Sequence, residues 1–241
     1  MRTREASTKE ARALRWQKFD FQASKAEQSM NEASGFPLNV SLVSMHPMPE
    51  EPIWTRLGYR QKTSDQTLIL SKYQSLIKRF LRETQIRLFY REAGFQAEGD
   101  LVAVDRHRFS SRLVAERCAG AQRVYLLGAS VRQEDFRQLQ SLQEQNRLEE
   151  AVVLDAVLSE KVDYALDFIE KGVNLELRRK GQVMGARLSC GYGDFSLENQ
   201  RFFYNVLEFS RYGIILTPQY LLIPEKTVTG LAPVRPLEVR I

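Results

Sequence analysis

The chain of 241 residues predicts an α+β fold. Segments with the 3.6-residue period of helices alternate with short apolar runs of strand character, but irregularly, without the repeating strand–helix unit of a wound parallel sheet. Residues 124–129, Val-Tyr-Leu-Leu-Gly-Ala, form a compact apolar run that reads as a buried strand. Leu154, Leu158, Val162, Ala165 and Ile169 recur every three or four residues and read as a core helix. Apolar residues make up 43% of the chain, enough to bury a core, and the length suits one large domain or one domain plus an extension.

The first part of the chain reads differently from the rest. Residues 5–30 are charged and rich in Ala and Gln, and Ala11, Leu14, Phe19 and Phe21 give only a ragged apolar face, which predicts a marginal helix. Ala33-Ser34-Gly35-Phe36-Pro37 breaks it. Residues 38–43 alternate as a short strand. Met45-His46-Pro47-Met48-Pro49 excludes regular structure, because proline fixes φ and removes a donor. Residues 1–48 are therefore expected to be a flexible N-terminal extension with a Pro-rich linker, and residues 49–241 the folded domain.

Within that domain, residues 53–59 predict a short helix ended by Gly58. Ser64 and Asp65 are placed to cap the next helix, whose apolar positions Leu68, Tyr73, Leu76, Ile77 and Phe80 share a face. Two strands follow, 86–90 and 101–104, with turn chemistry around Gly94 and Gly99. Leu113, Val114 and Cys118 belong to a helix ending at Gly120. Residues 134–146 are polar apart from Phe136, Leu139 and Leu142, as in a surface helix, and the core helix from Ala151 is expected to stop at Gly172. Ser196 can cap a helix that turns Phe202, Phe203, Val206 and Leu207 inward, and residues 214–217 and 220–223 read as two strands around Pro218-Gln219.

Charge and composition exclude several classes. The net charge is +5, of which residues 1–30 carry +3, so the body is nearly balanced. A basic tail is not the focused patch that phosphate binding requires, and the charge does not point to nucleic acid. No run approaches the ~18 consecutive apolar residues of a membrane span, and the polar N-terminus lacks the apolar segment of a secretory signal. Cys118 and Cys190 are the only cysteines, too few for a disulfide framework, so a cytoplasmic setting is expected. Dinucleotide and phosphate loops, the nucleophile elbow and the paired-histidine zinc motif are all missing. His46 and His107, the two histidines, are far apart and read as solvated side chains, His107 at a helix start.

Three stretches carry chemistry. In Arg187-Leu188-Ser189-Cys190-Gly191-Tyr192-Gly193-Asp194, two glycines flank a tyrosine. Glycine permits close backbone approach to a ligand, an arginine fork grips a carboxylate or phosphate, and tyrosine offers a flat face and a hydroxyl. The same residues also suit an ordinary tight turn, with Asp194 and Ser196 capping the following helix. Pro224-Glu225-Lys226-Thr227-Val228-Thr229-Gly230 reads either as a solvated edge strand or as a polar rim on a cleft. Asp155 lies among apolar residues and needs a partner if buried; a hydrogen bond to another backbone segment is the expected role.

Taken in order, these stretches resemble the activation, or reactivation, domain of cobalamin-dependent methionine synthase in its short stand-alone form. Its R-x-x-x-G-Y motif is matched by Arg187, Gly191 and Tyr192, and the longer R-x-S-P-G-Y-G-D also by Ser189, Gly193 and Asp194, with Cys190 where proline is usual. Its L-T-x-x-x-M-x-P-x-K-S-V-S-G stretch is matched by Leu216, Thr217, Pro224, Lys226, Val228 and Gly230, with Thr227 and Thr229 for serines. Asp155, Ala156, Ser159 and Asp163 resemble D-A-x-x-S-x-x-x-E, with Asp163 for glutamate, and residues 53–59 resemble V-x-R-Y-L-G-Y. The resemblance spans roughly residues 50 to 232 and keeps motif order.

The resemblance implies a mixed or antiparallel sheet with flanking helices. It implies S-adenosylmethionine as cofactor, held by Arg187 on its carboxylate, by backbone around Ser189, Cys190 and Gly191, by Tyr192 near the methyl-bearing centre, and by Lys226. It further implies a role in restoring oxidised cobalamin to methylcobalamin, with an electron from a flavodoxin-like donor. No D-x-H-x-x-G motif is present, so the cobalamin would be carried by a partner, a corrinoid-binding protein or methionine synthase module. A non-catalytic binding or scaffold protein that kept the fold is the alternative.

Overall fold

A computed structural model describes residues 27–29, 36–59 and 67–237, with only the backbone given for 27–29 and 67–70. Its centre is an eight-stranded antiparallel sheet. The strands are β1 (Glu27–Ser29), β2 (Leu38–Val43), β3 (Ile86–Glu98), β4 (Leu101–Val104), β5 (His107–Ser110), β6 (Arg123–Val131), β7 (Gln182–Met184) and, after a small hairpin of β8 (Ile215–Leu216) and β9 (Leu222–Ile223), β10 (Thr227–Pro236). The main order is β1-β2-β3-β6-β10-β7. β3 has three partners: Ile86 to Tyr90 pair with β2, Ile86 to Gly94 with β6, and Phe95 to Glu98 with β4.

The helices are α1 (Glu51–Arg56), α2 (Thr67–Glu83), α3 (Arg112–Arg117), α4 (Gln133–Glu144), α5 (Leu148–Arg179) and α6 (Gln200–Val206). α2, α4 and α5 cover one sheet face; α3, α6 and the flanking 3₁₀ turns cover the other. β6 shows why its sequence is apolar almost throughout. Leu127, Ala129 and Val131 pack under the long helices, while Val124 and Leu126 join Phe89, Phe203, Phe209 and Leu231 on the opposite side. A strand of period two that is buried on both faces has few positions left for polar residues.

Several elements differ from expectation for physical reasons. Leu38–Val43 pairs with β3, its Leu38 and Val40 are buried, and Met45 and Met48 join the core. The folded part therefore starts N-terminal to the expected boundary at 48/49. Glu27–Ser29 pairs with β2 instead of extending a helix. The rest of the expected marginal helix and the Ser64/Asp65 cap lie outside the described residues. Gly94 is no turn: it continues β3, and its amide donates to Asp105 Oδ1 at 2.7 Å. Asp105-Arg106 is the turn of the β4–β5 hairpin, so His107 opens a strand, not a helix.

Gly172 does not stop α5, which runs for 32 residues. A glycine inside a helix costs about 1 kcal/mol. Buried Val173 and Leu177 continue the stripe of Ile169 beyond it and outweigh that cost. The Thr227–Gly230 stretch lies in β10 and pairs with β6, while β7 pairs only further along, at Val234–Pro236. Thr227 and Thr229 are buried, so the stretch is not a solvated edge. Among the described residues, no helix is long and apolar enough to cross a membrane.

Candidate functional site

The polar side of α5 organises the site. Asp155, Ser159, Asp163, Asp167 and Glu170 follow one another at three- or four-residue spacing and so lie along one stripe of the helix. Three cations from distant segments meet it. Arg56 of α1 donates from Nε to Glu160 Oε1 at 2.6 Å and lies 3.8 Å from Asp163 Oδ2. Arg187 Nη1 donates to Asp167 Oδ1 at 2.9 Å and Glu170 Oε1 at 2.6 Å. Lys226 Nζ sits 2.9 Å from Asp155 Oδ1. The four stretches that carry the family resemblance thus converge on one helix face.

Asp155 consequently finds a side-chain ammonium as partner, not the backbone segment expected. Burial works against the charge of Arg187, but its bonds to Glu170 and Asp167 outweigh that and raise its pKa further. The stem of Arg187 crosses β10 at Gly230. A Cβ there would lie 3.3 Å from Arg187 Cδ and 3.6 Å from the Leu188 carbonyl. The glycine of the second stretch therefore makes room for the arginine of the first, a link invisible in linear order.

From Arg187 the chain continues along the sheet edge and then crosses to the other face. Leu188 and Leu231 exchange both backbone hydrogen bonds at 2.8 Å, and Ser189 Oγ donates to the Thr229 carbonyl at 2.8 Å. Cys190 turns its side chain into the far core, and burial pushes its thiol up to about 12. Gly191 has φ +90°, a conformation that L side chains rarely adopt, and its amide donates to the Phe195 carbonyl at 2.7 Å. Tyr192 stands at the tip, 70% exposed.

Asp194 is a structural residue. Its carboxylate accepts from Ser111 Oγ at 2.7 Å, Arg112 N at 2.7 Å and Leu113 N at 3.1 Å, so it caps α3, far back in sequence, and not the helix that follows it. The Ser111 hydrogen bond is the first cause holding its carboxyl below the usual range. Ser196 caps the 3₁₀ turn Leu197–Asn199 that leads into α6. The loop is therefore a closed turn and a candidate ligand edge at once.

The resemblance implies Arg187 and Lys226 at one ligand site, and both side chains meet carboxylates of α5; sequence reasoning missed Arg56, Asp167 and Glu170. The i, i+4 continuation from Asp155 through Asp163 is the signal that could have found the acidic members. It also missed His107, which is half-buried, stacks on Phe202 with ring centroids 4.4 Å apart and bonds Asn199. His46 is exposed, as expected. Among the described residues, no group of three or more His, Cys, Asp and Glu is arranged to hold a metal.

No family model and no curated protein matches the chain by sequence. In three dimensions it is similar to the MetH reactivation domain in the crystal structure of that domain bound to AdoHcy. The TM-score is 0.62 at 12% identity, over 92% of this chain and 85% of that one. At that identity the likeness is one of fold: a curled antiparallel sheet with flanking helices, as the α+β reading required.

Proposed function

We propose that this chain is an S-adenosylmethionine-binding reactivation partner for a cobalamin-dependent methionine synthase or related corrinoid methyltransferase. The observation that carries the reading is the convergence of α1, the Asp155–Asp163 stripe, Arg187 and Lys226 on one face of α5. The fold likeness to a reactivation domain whose crystal structure holds AdoHcy supports it.

The charges suit the ligand. S-adenosylmethionine carries a cationic sulfonium and ammonium beside an anionic carboxylate. The face offers Asp163, Asp167 and Glu170 to the first two and Arg187 and Lys226 to the third. Tyr192 offers an exposed ring at the loop tip, and Ser189 to Gly191 offer backbone groups. When bound, S-adenosylmethionine supplies the methyl group; the residues named bind and orient it. The corrinoid comes on a partner protein.

One observation favours the scaffold alternative. Arg187 is already engaged by two carboxylates, so the face can close on itself without ligand. Calorimetric titration of the chain with S-adenosylmethionine, and with AdoHcy as control, separates the readings. Saturable binding is expected. No heat at millimolar ligand, with or without a corrinoid protein, leaves the scaffold reading standing.

A further inference from the structure

A cleft of about 590 Å³ opens on the sheet face opposite α5, between β5 and α6. Its wall is aromatic. His107 and Phe202 stack with their planes 7° apart, and Tyr220 projects from the β8–β9 hairpin. Tyr220 has φ +62°, a left-handed backbone that non-glycine residues rarely adopt. Its amide donates to the Thr217 carbonyl at 3.0 Å, which holds the turn.

The polar atoms are ordered as well. Asn199 Nδ2 donates to the Ser196 carbonyl at 3.1 Å, which turns Oδ1 toward His107. His107 Nε2 lies 2.9 Å from that oxygen and donates to it, leaving Nδ1 as the ring's remaining polar atom. Two exposed arginines line the cleft. Arg201 lies over the Tyr220 ring at 5.5 Å, and among the described residues neither Arg108 nor Arg201 makes an ion pair. Arg187, by contrast, is neutralised by two carboxylates. Glu198 contributes a carboxylate to the lining, so the two arginines leave a net positive charge in the cleft.

We propose that this cleft is a second ligand site, for a flat heteroaromatic anion of mononucleotide size. Arg108 and Arg201 take the anionic group, and the His107–Phe202 stack with Tyr220 takes the ring. The volume is that of a small-molecule site, and aromatic walls accept any planar base through its π-face. Guanidinium groups without a carboxylate partner are open to an incoming anion. The site does not depend on the α5 face.

Calorimetric titration of the full chain with AMP, adenosine and inorganic phosphate tests it. AMP is expected to bind at least about tenfold more tightly than adenosine or phosphate, because ring and anion are held together. The double variant Arg108→Ala/Arg201→Ala, exposed positions with little bearing on folding, should weaken AMP by about tenfold or more at unchanged melting temperature. Arg187→Ala should leave AMP affinity unchanged. No heat with AMP at millimolar concentration overturns the proposal, as does phosphate binding as tightly as AMP. Equal affinity in the double variant overturns it too, and loss of AMP binding in Arg187→Ala would move the ligand to the α5 face.

Discussion

Lys226 Nζ lies 2.9 Å from Oδ1 of Asp155 and ties the entry of β10 to the middle of α5. Both side chains keep solvent contact, at 24% and 43% exposure, so the pair is worth under about 1 kcal/mol. Lys226→Ala should therefore leave the melting temperature almost unchanged. If Lys226 meets the ligand, the same change should weaken S-adenosylmethionine by about 1–2 kcal/mol. Unchanged affinity would remove Lys226 from the site.

Arg187 is the expected anchor for the ligand carboxylate. Arg187→Ala should weaken S-adenosylmethionine by about 2–4 kcal/mol, since it strands a desolvated anion, and Arg187→Lys should recover only part because an ammonium lacks the fork. Melting temperatures must accompany the titrations, because the alanine variant also leaves Asp167 and Glu170 facing each other without their shared cation. An alanine variant that binds like wild type places the ligand elsewhere.

Lys161 is fully buried and donates to the Leu81 and Thr84 carbonyls at 3.1 and 2.6 Å and to Thr84 Oγ1 at 2.9 Å, closing the C-terminal end of α2. Burial lowers its pKa to about 8. The folded state then loses this proton before the unfolded state does. The cost of burying the charge is complete below pH 8 and is relieved as pH rises toward the ordinary lysine value. Urea midpoints should show wild type gaining up to about 1 kcal/mol between pH 8 and 9 relative to Lys161→Met. Equal slopes would mean that the ammonium is not desolvated.

Burial pushes the thiols of Cys118 and Cys190 up to about 12. These groups have raised folded pKa values and are neutral when folded, so their contribution is present at neutral pH and declines above about pH 9, where the unfolded thiols ionise first. Native protein at pH 8 should resist iodoacetamide at both positions, and denatured protein should be modified at both. Rapid native labelling of Cys190 would show that the Arg187–Asp194 loop opens.

Deleting residues 1–48 removes β2 and with it Leu38, Val40, Met45 and Met48 from the core. A loss of at least about 4 kcal/mol is expected from so much buried surface, enough to unfold a marginally stable domain. A cooperative thermal transition in that variant would count against β2 as an integral strand.

The sequence alone determined the fold class, the core stripe of Leu154, Leu158, Val162, Ala165 and Ile169, and the buried run at 124–129. These are local properties: periodicity and turn chemistry act within a few residues, and motif order survives when little else does. Tertiary structure decided the rest. Gly172 stays helical because Val173 and Leu177 have a core to enter, and Asp194 caps α3 because folding brings Ser111 beside it. Thr229 is buried because β6 pairs on one side of it and Ser189 Oγ donates to its carbonyl. The partners of Arg187, Arg56 and Lys226 lie on one stripe of α5, and His107 stacks on Phe202 across a fold that the linear chain does not show. A charge or a ring acquires its partner only when packing brings distant segments within a few ångströms, and no spacing along the chain encodes that distance.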